Sequence, residues 1–257
     1  RRVFIMDDCE ELIPPFLRFV KGIVDSEDLS LNVSREILQQ DRQIRAIRKR
    51  LVKRVLQSIE QIRTERPEEF RSFWTHFGAV LKEGLIPHPG NEDARDPLLA
   101  VATFESTGGP VGGTTLAEYA ERMVEGQEEI YYLTGRDRAS VENSPHLEAF
   151  RAHGVEVLVL TDPVDEVWVD AVGEVDGRRL RSVAKGDVDL SGIGADTEGE
   201  DADQPEAEEF AGLLEWLGTE LADQVKQVRL SHRLTESAAC MVGDEFDLTP
   251  QLEAMYR

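Results

Sequence analysis

The residues best suited to form a binding or catalytic site lie where a short polar segment meets a long predicted helix. Arg35 follows residues 28–34, four of which are polar, and falls in the first turn of the predicted helix. Free backbone N–H groups and the positive end of the helix dipole favour anions there, whereas a guanidinium opposes that dipole. Gln39 lies one turn later on the same face. Two interpretations remain open: Arg35 completes an anion site, or it pairs with a carboxylate such as Asp28 or Glu36.

A long amphipathic helix must position this junction. Ser34 is a suitable N-cap, and Pro67 prevents extension beyond that point. Apolar residues recur at helical spacing along one stripe: Ile37, Ile44, Ile47, Leu51, Val52, Val55, Leu56, Ile59 and Ile62. Seven basic residues fall mostly on the opposite face: Arg42, Arg45, Arg48, Lys49, Arg50, Lys53 and Arg54. The basic face is either simply solvated or a docking patch for an acidic partner.

Composition limits the class of protein. The 257 residues include 29 Lys or Arg and 51 Asp or Glu, a formal net charge of −22. Residues 1–66 carry a net +3, whereas residues 196–209 hold eight acidic residues and no base. This acidity argues against general nucleic-acid binding, which depends on clustered Lys and Arg. The longest apolar run, 157–160, is far below the ~20 residues of a membrane span. Two cysteines in such a chain fit a reducing cytoplasm.

Alternating helices and strands predict an α/β fold. Thr115 and Glu118 form a capping-box pattern, and residues 129–134, 155–160 and 178–183 are typical of strands. Helices predicted between these strands indicate βαβ units and a parallel sheet. Further predictions are a strand at 3–6, a helix over 210–228 and a strand at 237–242.

Common catalytic motifs are absent from the sequence. It contains no GxxxxGK[ST], GxGxxG, HExxH or GxSxG pattern, and its histidines and cysteines show no metal-ligand spacing. The glycine-rich residues 108–113 follow no clear strand and include no Lys, so they indicate a flexible loop rather than a phosphate cradle.

Several segments resemble the heat-shock protein 90 chaperone family, in particular its bacterial branch. The segments are 12–29 (LIPPFLRFVKGIVDSEDL), 31–39 (LNVSREILQ), 130–135 (IYYLTG), 144–148 (SPHLE) and 156–166 (EVLVLTDPVDE). The first two form a nearly continuous match to the middle-domain signature of the family. Ser30 stands where the family usually has Pro, Phe16 where it often has Trp or Tyr, and the acidic segment diverges.

The resemblance implies two α/β layered subdomains joined by a helical connector, followed by part of a C-terminal α+β domain. We expect five parts: the large middle subdomain with its catalytic loop and long helix, the connector, the small middle subdomain, an acidic linker and the start of the C-terminal domain. Their expected bounds are 1–66, 67–102, 103–190, 191–209 and 210–257. The beginning at Arg1 and the end at Arg257 are then expected to cut through domains.

For function, the resemblance implies an ATP-dependent molecular chaperone of the stress response. An N-terminal domain outside these residues would bind ATP and Mg, and Arg35 would contact the γ-phosphate. Asn32 and Gln39 would support the same catalytic loop. This chain alone is therefore expected to be inactive as an ATPase.

The resemblance also implies partners: unfolded or partly folded client proteins, the N-terminal ATPase domain and a second copy in a cytoplasmic homodimer. Glu166, Val167 and Trp168 match the family's client-binding region, although the helical spacing of Trp168 also suits a core position. The alternative is a nucleotide- or phosphometabolite-binding α/β protein. It would use the loops after Thr134 and Thr161, with Arg136 and Asp162.

Overall fold

The computed structural model describes residues 7, 9, 11–25, 42–89, 91, 93–186, 188–190, 192–193, 210–231 and 233–244. The helices are α1 Arg42–Glu65, α2 Pro67–Lys82, α3 Arg95–Val101, α4 Leu116–Glu121, α5 Arg138–Glu142, α6 Glu148–Ala152, α7 Asp165–Val172 and α8 Ala211–Glu220. The strands are β1 Glu105–Ser106, β2 Ile130–Thr134, β3 Leu158–Leu160, β4 Glu174–Val175 and β5 Arg178–Ser182. Short 3-10 helices span Pro15–Leu17, Glu83–Leu85 and Pro145–Leu147. Among these residues, no helix is both long and apolar enough to cross a bilayer.

The long amphipathic helix predicted from the sequence is present as α1. Its 24 residues bury Ile44, Leu56 and Ile59, and most of its basic side chains are exposed, as the periodicity predicted. The helix ends before Pro67, because a residue that precedes proline is pushed out of the helical region. Arg66 accordingly has φ −139° and ψ 64°, and Pro67 opens α2. The predicted N-cap Ser34 and the strand at 3–6 lie outside the described residues.

Residues 67–102, the predicted connector, contain α2, the Glu83–Leu85 turn and α3. Helix α2 is continuous over its 16 residues, and the Glu83–Leu85 turn follows it directly. Phe70 and Leu81 of α2 join Leu56 and Ile59 of α1 in one core cluster, to which Leu98 of α3 also belongs. The three helices therefore share a single apolar interior.

The five-stranded sheet has the order β1-β3-β2-β5-β4. Central strand β2 is parallel to both β3 and β5, so that Tyr132 pairs with Leu158 on one side and Ser182 on the other. Both edge strands are antiparallel, which the predicted all-parallel sheet did not include. At one edge, Asp176 and Gly177 both have positive φ (50° and 78°), and two such residues form a tight hairpin turn. The α/β class is confirmed.

Side chains of the sheet alternate between two cores. Ile130 and Tyr132 face the cluster shared with the connector and α7, whereas Tyr131 and Leu133 face a second cluster with α5 and α6. Successive strand residues point to opposite faces, so both faces of this sheet are covered. The run of buried apolar residues in β2 follows from this arrangement.

Two predictions toward the end of the chain were wrong in detail. The helix predicted over 210–228 is Ala211–Glu220, and it has no fully buried residue. The strand predicted at 237–242 is not formed; instead, Gly243 makes an isolated parallel bridge with Lys185. Residues 233–244 are held by backbone hydrogen bonds of Gly243 and by the Arg233 side chain, both to the segment after β5, rather than by a strand ladder.

Candidate functional site

The predicted catalytic-loop residues Asn32, Arg35 and Gln39 lie outside the described residues. The structure describes the two segments that bound them, residues 11–25 before and α1 after. The site is therefore described through the contacts that hold these two segments in place. The catalytic role of Asn32, Arg35 and Gln39 stays a prediction.

The preceding flank is anchored by two buried side chains and an ion pair. Phe16 and Leu17 are 1% and 0% exposed in the Pro15–Leu17 turn. The Arg18 guanidinium then donates from Nη1 to Glu83 Oε2 at 2.6 Å and from Nη2 to Glu83 Oε1 at 2.8 Å. This paired hydrogen bond raises the pKa of Arg18 and lowers the pKa of Glu83. The flank is thus tied to the end of the connector helix.

Aromatic contacts extend this anchor by one residue. The Phe19 ring lies 5.6 Å from that of Phe73 and 4.7 Å from that of Phe77, both on α2. The exposed residues 21–25 then lead toward residues 26–41, and Ile23 is 97% exposed. The part of this flank that packs against the core therefore ends near Val20.

The following flank, α1, is anchored on the same connector. Its first turns bury Ile44, and Arg48 Nη2 donates to Asn91 Oδ1 at 3.3 Å. Lys49 pairs with Asp93 at 2.7 Å. Both segments that bound residues 26–41 are therefore held by residues 67–102.

The predicted client-binding residues occupy α7 with very different exposures. Trp168 is 0% exposed, its ring lies 5.2 Å from that of Phe104, and its Nε1 donates to Asp165 Oδ1 at 2.6 Å. Glu166 is 4% exposed, whereas Val167 is 42% exposed. In this conformation, Trp168 belongs to the core, and Val167 is the member of the set that solvent reaches.

A buried charged cluster beside α7 was missed from the sequence. Lys82 Nζ lies 2.6 Å from Asp165 Oδ1 and 2.7 Å from Asp162 Oδ2. The side chains of Lys82 and Asp165 are 6% and 1% exposed. Lys82 is 83 residues away from Asp165, so the pair gives no local signal in the sequence.

The glycine-rich loop at 108–113 lies beside the Glu156 carboxylate and does not form an anion cradle. Ser106 Oγ accepts from Gly109 N at 2.9 Å and donates to Glu156 Oε1 at 2.5 Å. Arg122 holds the same carboxylate through two hydrogen bonds of 2.7 and 2.9 Å. These donors are already satisfied by Glu156, so the local geometry does not favour a phosphate.

The alternative hypothesis places a phosphate at the loops that follow β2 and β3, but the named side chains of these loops do not form a shared phosphate site. Arg136 is exposed after β2, and Asp162 after β3 pairs with Lys82. Within the described part of the chain, no group of three or more His, Cys, Asp or Glu side chains is placed to hold a metal ion.

Comparison with known proteins agrees with the sequence resemblance. The family model described as Hsp90 protein matches residues 1–257. The chain is 60% identical over 257 residues to the chaperone protein HtpG of Streptomyces coelicolor, and 59% identical to those of Salinispora arenicola and Mycolicibacterium vanbaalenii over 257 and 258 residues. These alignments cover 100% of this chain and 40%, 40% and 39% of the relatives. The chain therefore spans about 40% of the length of the curated relatives that it matches, and it belongs to the Hsp90 protein family.

Proposed function

We propose that this chain is the part of an ATP-dependent chaperone that completes the ATPase site and holds clients. The observation that carries the first role is the common anchoring of both flanks of residues 26–41 on the connector. A loop bounded in this way can present Arg35 from a fixed frame to a nucleotide on another domain. The family match over the whole chain supports the same assignment.

The chemistry of the proposed site is phosphoryl transfer with an arginine supplied from outside the nucleotide-binding domain. ATP and Mg would be bound by an N-terminal domain of the longer protein. The Arg35 guanidinium stabilises the charge that develops on the γ-phosphate oxygens, and Asn32 and Gln39 hold the loop. The predicted position of Arg35 in the first turn of a helix would bring free backbone N–H groups to the same anion.

The second proposed role is the binding of unfolded or partly folded proteins through α7. Val167 supplies an exposed apolar contact on a helix whose opposite face, with Trp168 and Val172, is buried in the core. Glu166 lies beside it but is 4% exposed, so Val167 carries the proposed contact. We further propose that the longer protein works as a homodimer in the cytoplasm.

The ATPase role is tested by measuring ATP turnover for this chain alone and for the longer protein with its N-terminal domain. We expect no appreciable turnover for the chain alone and slow turnover for the longer protein. Arg35→Ala should reduce this turnover by about 10²-fold or more. Arg45→Ala, which removes an exposed guanidinium from α1, is the matched control and should leave turnover unchanged. Unchanged activity of the Arg35 variant would refute the assignment.

The client role is tested with a reduced and alkylated protein that cannot refold. Val167→Asp should weaken its binding to the chain several-fold, because a charge replaces the exposed apolar contact. The matched control is Val111→Asp, since Val111 is 93% exposed in the glycine-rich loop. Equal binding by both variants would exclude α7 as a client contact.

A further inference from the structure

The outer face of α7 combines apolar side chains with a carboxylate. Val167, Asp170 and Ala171 are all exposed, and their spacing along the helix places them on one side of it. Val167 is 42% exposed, whereas Trp168 and Val172 on the other side are buried. A partner that covers Val167 and Ala171 therefore also meets the Asp170 carboxylate.

Asp170 lies where a carboxylate does not stabilise the helix. It belongs to the last turn of α7, where the backbone carbonyl groups carry a partial negative charge and cations are favoured. The last turn of α7 contains no basic residue. Within the part of the chain that the structure describes, Asp170 forms no ion pair. A cationic partner would stabilise this arrangement of charge, which the helix itself does not.

The two ends of α7 are held in place, so this face is formed before a partner binds. Lys82 Nζ lies 2.6 Å from Asp165 Oδ1 at the first residue of the helix. At the other end, Arg95 Nη2 donates to Val172 O at 3.3 Å and to Glu174 O at 2.9 Å. A surface that is fixed in advance loses little conformational entropy on binding, so more of the contact energy appears as affinity.

We propose that the outer face of α7 selects client segments in which a Lys or Arg lies next to an apolar side chain, and that Asp170 determines this preference. This inference rests on the proposed function, in which α7 binds unfolded or partly folded proteins. Val167 and Ala171 contact the apolar side chain, and the Asp170 carboxylate binds the ammonium or guanidinium group. Such a charge contributes specificity, because an acidic segment at the same position is repelled.

The test measures the affinity of the full chain for two short unstructured peptides of Gly, Ser and Leu. One peptide also carries several Lys residues, and the other has Glu in place of each Lys. We expect the parent to bind the Lys peptide several-fold more tightly than the Glu peptide. Asp170→Asn should reduce this ratio of affinities several-fold, and Asp170→Lys should reduce it further. An unchanged ratio in Asp170→Lys overturns the inference, as does a parent that binds both peptides equally.

Glu121 provides a matched control for the general field of the chain, whose formal net charge of −22 attracts any basic peptide. Glu121 is an exposed carboxylate in the last turn of α4, so Glu121→Gln and Glu121→Lys change the net charge by the same amounts as the Asp170 variants. Both should keep the parental ratio of affinities. A loss as large as that in the Asp170 variants would overturn the inference. Because Asp170 is exposed and opposes the helix dipole, its variants should fold, which urea unfolding checks.

Val167→Ser separates this inference from the proposed function, because it removes the apolar contact without changing the charge of the face. It should weaken the binding of both peptides. If neither peptide is weakened, the proposed client role of α7 itself fails. If both are weakened and the Asp170 variants keep the parental ratio, the client role stands and the charge preference is overturned.

Discussion

The end of α2 attaches to α7 and the segment 233–244 attaches to α6, on the two faces of the five-stranded sheet, but with opposite chemistry. The α2 junction uses an ammonium and a carboxylate that are 6% and 1% exposed. The other junction uses the Glu148 carboxylate at the surface, which accepts backbone hydrogen bonds from Thr235 at 2.7 Å and Glu236 at 2.8 Å. One junction buries both charges of a pair, and the other satisfies Glu148 with backbone N–H groups and Arg233 with backbone carbonyl groups.

The difference predicts how each junction can be released. Removing one member of the buried pair leaves the other charge without compensation in the interior. The Glu148 junction depends instead on the carboxylate being ionised. Its hydrogen bond from the Glu236 backbone N–H, joined by those from Ser237 and Thr235, lowers the pKa of Glu148 to about 2. The first junction is suited to permanent attachment, and the second responds to acid.

The largest effect is expected for Lys82→Ala. The substitution leaves the Asp165 carboxylate buried without its cation, so the free energy of unfolding should fall by about 3–5 kcal/mol. Urea unfolding of the chain followed by Trp fluorescence measures this change. Lys82→Met with Asp165→Asn is the matched control and should recover most of the loss. A decrease below about 1 kcal/mol for Lys82→Ala would show that the cluster is not desolvated as described.

A smaller loss is expected for Arg233→Ala at the second junction. Arg233 is 7% exposed and donates from Nη1 to Val183 O at 2.9 Å and from Nη2 to Gly186 O at 2.5 Å. Orphaning these carbonyls should cost about 1–3 kcal/mol. Hydrogen exchange should increase in residues 233–244 and stay unchanged in α7. Lys53→Ala on the exposed face of α1 serves as control, and equal exchange in both variants would contradict the anchoring role.

The pH dependence of the second junction has a defined sign. Because the folded pKa of Glu148 is about 2 and its ordinary value is 4.5, the stabilisation is complete above pH about 4.5 and is lost as the pH falls toward 2. Titration of the Glu148 carboxyl ¹³C resonance measures the midpoint directly. Glu148→Gln should remove this contribution at all pH values. A midpoint near 4.5 in the folded chain would mean that the three backbone hydrogen bonds are not formed in solution.

The smallest effect on stability is expected for Glu83→Gln. The Arg18 and Glu83 side chains are 52% and 40% exposed, and such pairs contribute about 0–1 kcal/mol. Any loss should shrink further in high salt. Urea unfolding at low and high salt measures this loss. Arg138→Gln, which removes the exposed ion pair of Arg138 with Glu105, serves for comparison. A loss of several kcal/mol would move this contact into the same class as Lys82 and Asp165.

Local patterns in the sequence predicted much of the fold. The apolar stripe that includes Ile44, Leu56 and Ile59 predicted α1, because a helix that packs on a core repeats its apolar residues at that spacing. The Thr115–Glu118 capping box is confirmed with both of its hydrogen bonds. These features are set by residues a few positions apart.

Features that depend on distant partners could not be predicted in this way. The Lys82–Asp165 pair joins residues 83 positions apart, and its burial follows from how α7 lies on the connector. Residues 237–242 were predicted as a strand, but the Ser237 backbone N–H donates to the Glu148 carboxylate and only Gly243 bridges to Lys185. For Arg35, Asn32 and Gln39, the family resemblance supplied roles that spacing alone had left open.

The most direct test of the central claim is single-turnover hydrolysis of ATP already bound to the longer protein. Because binding is complete before the reaction starts, the rate reports on the chemical step and on loop placement. We predict that Arg35→Ala slows this step by about 10²-fold or more while ATP affinity stays close to that of the parent. Hydrolysis at the parental rate by the Arg35→Ala protein would contradict the account.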